Sequence, residues 1–438
     1  MKKFILTAAA AVAAFSAAAQ TSPWSLSDCI SYAMEHNISI RQRQKAVEQS
    51  EIELNTASSS RLPGVAAGAS QNFSFGRGLT ADNTYANTNT ATTGFNIGAD
   101  MNLFNGFRTR NSIIRGKLDL EAATADLEKA RDDIRVGVAQ AYMQILYNAE
   151  IAEVADRQIE IDEQHVARIS EMLANGKASE VELAQQEASL AQSRLTATQA
   201  QNNLRLAILD LTQLLELPSP EGFSVVRPSE DAEGIILPLP EEIYAAAVSS
   251  KPAVRAEELR LESSASAIAI AKSSLYPSLS LSGGIGSNYY NASSIPSETF
   301  RKQLNNNFSQ YIGLNLSIPI FSRFSVRNGI RSAELGRINQ QLQLESVKKA
   351  LYKEIQQAYY GAVAAREKLA GSREAVKSSR ASFELTEAKY ENGKAGITEF
   401  NEAKNQYMKA ESDLVQARYE YIYQTKLLNF YRGEELSF

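Results

Sequence analysis

The 438-residue chain carries 45 Lys and Arg against 50 Asp and Glu, a formal net charge of −5, and one cysteine. Mild acidity argues against nucleic acid as a partner, and a lone cysteine excludes an intrachain disulfide. No Walker loop, Gly-x-Ser-x-Gly or paired-cysteine motif is present, so nothing points to an enzyme.

In chain order, Lys2 and Lys3 precede an apolar run from Phe4 to Phe15, and Ala17 and Ala19 are spaced as in an A-x-A cleavage site. This is the order of a secretory signal peptide over 1–19. An uncleaved anchor is the alternative, although the run is shorter than the roughly 20 residues a spanning helix needs. Loss of the leader, with its two lysines, takes the formal charge from −5 to −7. No later segment is apolar enough for a transmembrane helix, so the exported chain is either periplasmic or part of a β-barrel. Cys29 lies well beyond the leader and reads as a packed thiol, not a lipoprotein cysteine.

The mature chain is written twice, as a first repeat over 20–217, a proline-rich linker over 218–240 and a second repeat over 241–438. At an offset of 217, Phe104-Asn105-Gly106-Phe107 falls on Phe321-Ser322-Arg323-Phe324, Gln140-Ala141-Tyr142 on Gln357-Ala358-Tyr359, and Asn175-Gly176-Lys177-Ala178 on Asn392-Gly393-Lys394-Ala395. Before the strands the offset is 214, with Arg41 on Arg255 and Pro63 on Pro277.

Each repeat opens with a predicted helix, over 33–60 and 247–274. Their seams run Ala33, Ile40, Val47, Leu54 and Ala247, Val254, Leu261, Ile268. Strands are predicted over 62–75 and 93–104, and over 278–290 and 311–321. Long helices follow over 107–173 and 324–390, each about 67 residues and so roughly 100 Å. The first carries Leu120, Leu127, Ile134 and Ala141, skips four to Ile145, and continues through Ala152, Ile159, Val166 and Leu173. Its copy carries Leu344, Leu351, Ala358, then Ala362, Leu369, Val376, Phe383 and Tyr390, with Arg337 where an apolar residue is expected. Sevenfold spacing with a four-residue skip is a coiled-coil seam that locally unwinds. After each Asn-Gly-Lys break come helices over 179–217 and 397–431. The two shorter helices of a repeat together match the long one in length.

In 93–104, Thr93, Phe95, Ile97, Ala99, Met101 and Leu103 alternate with Gly94, Asn96, Gly98, Asp100 and Asn102. In 311–321, Ile312, Leu314, Leu316, Ile318 and Ile320 alternate with polar or small residues. Apolar-out, polar-in alternation over about 11 residues is the signature of a membrane β-barrel. A soluble sandwich with one wet face is the alternative. The barrel is favoured by aromatics at the segment ends, Phe104, Phe107, Phe321 and Phe324 among them, by long polar loops near 76–91 and 291–310, and by the leader. Four strands cannot close, and an open edge in lipid leaves backbone groups unpaired. Two copies would make an eight-stranded barrel filled by side chains, for which the inward Gly, Ser and Asn are too small. Three copies give twelve strands and a lumen.

The duplicated Phe-x-x-Phe junctions, Leu62-Pro63 and Tyr276-Pro277 at strand starts, the Asn-Gly-Lys-Ala turns, Trp24-Ser25-Leu26 and Ala33-Met34-Glu35-His36-Asn37 together resemble the TolC family of outer-membrane factors. The resemblance runs from about Trp24 to Gly433. It implies a mainly α fold with a membrane β-barrel: a homotrimer whose twelve-stranded barrel in outer-membrane lipid continues into a twelve-helix periplasmic α-barrel. The function implied is the outer-membrane channel, or exit duct, of a tripartite efflux pump in a Gram-negative bacterium, with no cofactor. The implied partners are a periplasmic membrane-fusion adaptor and an inner-membrane pump of the resistance–nodulation–division or ABC type. The duct of a type I protein secretion system is an alternative, as is a pore-less periplasmic coiled coil.

The resemblance also implies site residues. The turns Asn175, Gly176, Lys177 and Asn392, Gly393, Lys394 are the tips that meet the adaptor. Glu399 and Glu402, with Glu182 as the first-repeat partner of Glu399, correspond to acidic residues that ring the periplasmic entrance. The simpler alternative is carboxylates suited to a helix start. Tyr390 matches a gate position but also continues the apolar seam, and Ala395 stands where the family has a basic gate residue. His36 and His165 lack any metal-ligand pattern and are expected on the surface. N-terminal sequencing of the mature protein should begin at Gln20; a chain that retains the first 19 residues overturns the leader assignment.

Overall fold

A computed structural model of the chain describes residues 23–79, 84–227, 237–293 and 297–436. The expected leader and the stretch 228–236 of the linker lie outside the described residues. The chain divides into two compact units. One comprises the residues up to Lys45, Ala125–Arg255 and those from Glu345 onward; the other comprises Ala46–Thr124 and Ala256–Leu344.

The first repeat begins with α1 (Leu26–His36) and α2 (Ile38–Ser59). A single helix was expected over 33–60. It starts earlier because Ser25 and Asp28 form a capping box. It breaks at Asn37, which is extended at ψ 129°. The Asn37 side chain donates to the Leu214 carbonyl at 2.9 Å and accepts from the Ser39 N–H at 2.9 Å. The second repeat breaks at the equivalent Lys251, between α5 (Pro240–Ser250) and α6 (Pro252–Ser273). Pro252 is the cause there, since it disfavours helical backbone in the residue before it.

The long helices α3 (Arg108–Ala174) and α8 (Ser325–Glu391) each hold 67 residues. They are followed by α4 (Glu180–Leu214) and α9 (Ile397–Tyr431). The predicted seam is buried on both sides of the skip, at Ile145, Ala152, Ala358, Ala362, Leu369 and Phe383. The largest apolar core of the first unit lies beside that skip. There Leu26, Cys29 and Ala33 of α1 meet Val138, Tyr142 and Leu146 of α3, Leu211 of α4, and Tyr419 and Ile422 of α9. Tyr142 donates its phenol to the Val226 carbonyl at 2.6 Å, which ties the start of the linker to this core. Burial, with Asp28 nearby, pushes the Cys29 thiol up to about 12.

The second unit holds an antiparallel sheet ordered β1-β4-β5-β6, with β1 Gly64–Ser74, β4 Thr90–Asn105, β5 Ser278–Ala292 and β6 Ser309–Ser317. A short hairpin, β2 (Arg77–Leu79) with β3 (Tyr85–Asn87), extends from it in sequence. Register puts Ala67, Ile97 and Ile285 in one cross-strand row and Gly68, Asn96 and Gly286 in the next. Paired residues share a face, so one face is apolar and the other is mostly Gly, Ser and Asn, with Asp100 and Tyr311 also on it. The apolar face is bare: Val65 is 69 %, Ile312 81 % and Leu314 67 % exposed.

Two strand expectations change. A bulge between Asn102 and Phe104 pairs Phe104, not Leu103, with Leu279, so Phe104 joins the apolar face. The strand expected over 311–321 ends at Ser317. Pro319 lies just beyond, and without an N–H it cannot extend a ladder. The polar loop near 291–310 also contains a short helix, α7 (Phe300–Asn306). Its Gln303 amide caps the main chain of Tyr290 from both sides, accepting from N–H and donating to C=O at 2.9 Å each.

At both strand-to-helix junctions the chain turns through consecutive left-handed residues, Gly106 and Phe107 at φ 65° each, and Arg323 and Phe324 at φ 51° and 62°. The flanking rings pack edge to face, Phe104 with Phe107 at 5.2 Å and Phe321 with Phe324 at 5.8 Å. A Cβ on Gly106 would lie 2.3 Å from the Ser273 carbonyl oxygen. Gly106→Ala should therefore cost more than the roughly 1–2 kcal/mol of a left-handed residue alone. Arg323→Gly, at the matching position, should be neutral or stabilising. Thermal unfolding of the two variants decides; equal effects would overturn this account of the junction.

Candidate functional site

The two helix-to-helix turns have one design. Gly176 and Gly393 are left-handed at φ 72° and 66°. Lys177 N–H donates back to the Met172 carbonyl and Lys394 N–H to the Lys389 carbonyl, each at 2.8 Å. This is the bonding by which a glycine after the last turn satisfies orphan carbonyls. Asn175 and Asn392 add side-chain bonds to the Glu171 and Ala388 carbonyls at 2.8 and 2.7 Å. A Cβ on either glycine would meet nothing within 4 Å, so backbone conformation alone calls for glycine here.

The helices that leave these turns differ. Ser179 caps α4, and Glu182 closes the box by accepting the Ser179 N–H at 2.8 Å. Glu182 therefore has a structural task. At α9 the N-cap is Gly396, with no side-chain cap. Glu399 and Glu402 are both exposed. Glu402 lines an open groove of about 570 Å³ with Gln185, Asn401, Asn405 and Lys409, and Glu399 stands outside its lining.

Tyr390 is half-buried and stacks on Phe400 at 5.1 Å, within a cluster that includes Phe383 and Tyr407. Burial and the nearby Glu182 raise its phenol above the usual range. Tyr390 thus continues the apolar seam and also approaches Glu182.

His36 is exposed and stacks on Tyr32 at 4.0 Å. His165, expected on the surface, is buried. Its ring lies 4.3 Å from that of Phe400, its Nε2 lies 3.7 Å from Glu387, and its Nδ1 has no partner. It is buried because α3 presents this side to the start of α9.

One turn away on α3 is a group that the sequence reading passed over. Asp162 and Lys404 are each fully buried and form an ion pair. The carboxylate also accepts from Ser193 at 2.5 Å, Gln186 at 2.9 Å and Gln158 at 3.0 Å. The ammonium also donates to Ser189 Oγ at 3.1 Å. Burial alone would raise the Asp162 carboxyl, but the hydrogen bonds from Lys404, Ser193 and Gln158 outweigh it and hold it low. The signal was in the heptads. Asp162 is three residues after Ile159, and Lys404 is four after Phe400, so each takes the second core position of its repeat. Other ion pairs between α3 and the second repeat are more exposed, among them Arg157 with Glu411 at 3.3 Å and Arg168 with Glu391 at 2.5 Å.

A family model described as outer membrane efflux protein matches residues 29–216 and 243–433. The pyoverdine export outer membrane protein OpmQ of Pseudomonas aeruginosa is 25% identical over 320 residues, covering 70% of this chain and 63% of that protein. The fusaric acid resistance protein FusA of Burkholderia cepacia is 25% identical over 304 residues, covering 68% and 55%. The match thus spans less than two-thirds of the length of these two relatives. The crystal structure of the Campylobacter jejuni CmeC outer membrane channel has the same fold, with a TM-score of 0.79 at 19% identity over 94% of this chain and 87% of that one.

Burial, with Lys404 and Arg168 close by, holds the His165 imidazole below its ordinary value of 6.5, against the opposite pulls of Asp162 and Glu391. The stability due to neutral His165 is therefore complete above about pH 6.5 and is lost as pH falls through the lowered value. Between about pH 7.5 and about pH 5, the wild type should lose more thermal stability than His165→Gln. Parallel losses would overturn this.

Proposed function

The chain belongs to the outer membrane efflux protein family, and from that premise we propose that three copies form a passive exit duct across the outer membrane of a Gram-negative bacterium. The sheet is the observation that carries this reading. One face is bare and apolar, the other is lined mostly by small polar residues with the Tyr311 ring among them, and among the described residues β1 and β6 each keep an unpaired edge. In lipid such edges must be paired, and pairing β1 of one copy with β6 of the next closes twelve strands after three copies. Phe104, Phe107, Phe321 and Phe324 then form an aromatic girdle on the helix side.

In this reading α3, α4, α8 and α9 supply four helices per copy to a twelve-helix periplasmic tunnel. The turns at Gly176 and Gly393 dock a membrane-fusion adaptor, which joins the duct to an inner-membrane pump of the resistance–nodulation–division or ABC type. Energy comes from that pump. Small molecules are the favoured cargo, given relatives named for pyoverdine export and fusaric acid resistance.

At the entrance, Glu399 and Glu402 place six carboxylates around the mouth. A carboxylate ring favours cations and binds multivalent ones. Purified trimers in planar bilayers should therefore conduct cations selectively and be blocked from the tip side by a trivalent cation. In a Glu399→Gln, Glu402→Gln variant most of that block should vanish, with trimer yield unchanged. An equal block in this variant removes the ring; trimers without any conductance remove the duct.

A further inference from the structure

The duplication extends to the register of the sheet. Gly64 lies opposite Asp100, Val65 opposite Ala99 and Gly68 opposite Asn96. Adding 214 to each β1 residue and 217 to each β4 residue gives Ser278 opposite Ser317, Leu279 opposite Leu316 and Ser282 opposite Gly313. Those are the pairs that β5 and β6 make. The remaining ladder, β4 with β5, has no counterpart within the chain. Its equivalent would join β6 to β1, the two open edges.

We infer that β6 is completed on assembly: β1 of the next copy pairs with it in the register of β4 with β5 and draws 318–322 into the strand. The same offsets place Ile312 opposite Phe73 of the next copy, Asn315 opposite Ser70, Ile318 opposite Ala67 and Phe321 opposite Val65. This inference rests on the duct reading and adds to it which residues meet.

Three observations support it. First, β1 stops at Gly64, opposite Asp100, while β4 continues to Asn105 against β5 alone. The matching stretch 318–322 has no such partner in the chain and is irregular. Its apolar side chains stand in the open, Ile320 at 96 % and Phe321 at 71 % exposure, whereas Phe104, the counterpart of Phe321, is partly buried. The alternation that predicts strand as far as Phe321 is thus a pattern waiting for a neighbour.

Second, the faces agree. The register sets Phe73, Ala67 and Val65 against Ile312, Ile318 and Phe321 on the apolar side, and Ser70 against Asn315 on the polar side. A slip of one residue would turn every apolar side chain toward the polar face. A slip of two keeps the faces but breaks the match with β4 and β5.

Third, Pro319 does not obstruct the seam. Gln303 bonds both the N–H and the C=O of Tyr290, and Asn307 bonds the C=O of Asn288. Even-numbered residues of β5 therefore direct their backbone groups toward the β6 side. They pair with odd-numbered residues of β6, which direct theirs back toward β5. By this alternation the N–H that Pro319 lacks would aim at the β5 side, where the ladder has already ended at Ser278. The N–H of Ile318 aims at the next copy.

The test uses the full-length protein in outer membranes. Ser70→Cys is combined in turn with Gly313→Cys, Asn315→Cys and Ser317→Cys, and each variant is oxidised. Ser70 and Asn315 would form a non-hydrogen-bonded pair, with Cα atoms about 4.5 Å apart, within reach of a disulfide. That pair should give crosslinked dimers and trimers on denaturing gels in at least fivefold higher yield than either other pair, each of which reports a slip of two. An equal or higher yield from a slipped pair, or no crosslink in any variant of a trimeric wild type, overturns the register. The second measurement is the yield of detergent-stable trimers. Ile318→Pro should lower it about tenfold and Ile318→Ala should leave it unchanged, because only proline removes the outward N–H; equal yields overturn the extension of β6. A wild type that is monomeric in detergent would instead sink the duct reading, and the seam with it.

Discussion

A peptide group in hydrocarbon finds no water to replace a missing partner, and each unpaired N–H or C=O there costs several kcal/mol. The sheet of this chain has four strands, a bare apolar face and two open edges. Everything else is arranged around that deficit. In the proposed duct the edges pair with those of other copies, and the mostly small residues of the opposite face leave room for a lumen. The left-handed junctions at Gly106 and Arg323 then send each strand pair directly into a helix of 67 residues.

Features that follow from periodicity were legible in the sequence. The heptad seam with its four-residue skip, the Asn-Gly-Lys turns and the strand alternation each leave a repeating mark, and the duplication prints each mark twice. Local exceptions were harder to see. Lys251-Pro252 announces a helix break, and its silent counterpart at Asn37 follows only through the repeat. Pro319 announces the end of β6. The bulge that turns Phe104 rather than Leu103 to the apolar face has no such herald.

Polar residues inside the coiled coil were the least legible. His165 lacks a metal-ligand pattern, and that said nothing about its burial between α3 and α9. Asp162 and Lys404 are 242 residues apart and sit on helices that look like exposed coiled-coil strands. Their heptad positions placed each in a core, but only the fold shows that the two cores meet. The tips present the reverse case. Their sequences are near copies and their turns match, yet α4 is capped by Ser179 and α9 starts bare at Gly396. A single substitution at one position of a duplicated turn thus gives the two hairpins different anchorage.

The lone thiol of Cys29, sealed in the core beside Val138 and Leu146, has a consequence of another kind. Thiolate is the reactive form, and a group pushed up to about 12 holds almost none of it at neutral pH. Thiol-directed labels and thiol oxidants therefore find little to react with at Cys29 in the folded protein. Any reporter cysteine introduced at a tip, a strand or the entrance would be chemically alone, so fluorophores, spin labels and distance probes can be attached without first removing the native residue.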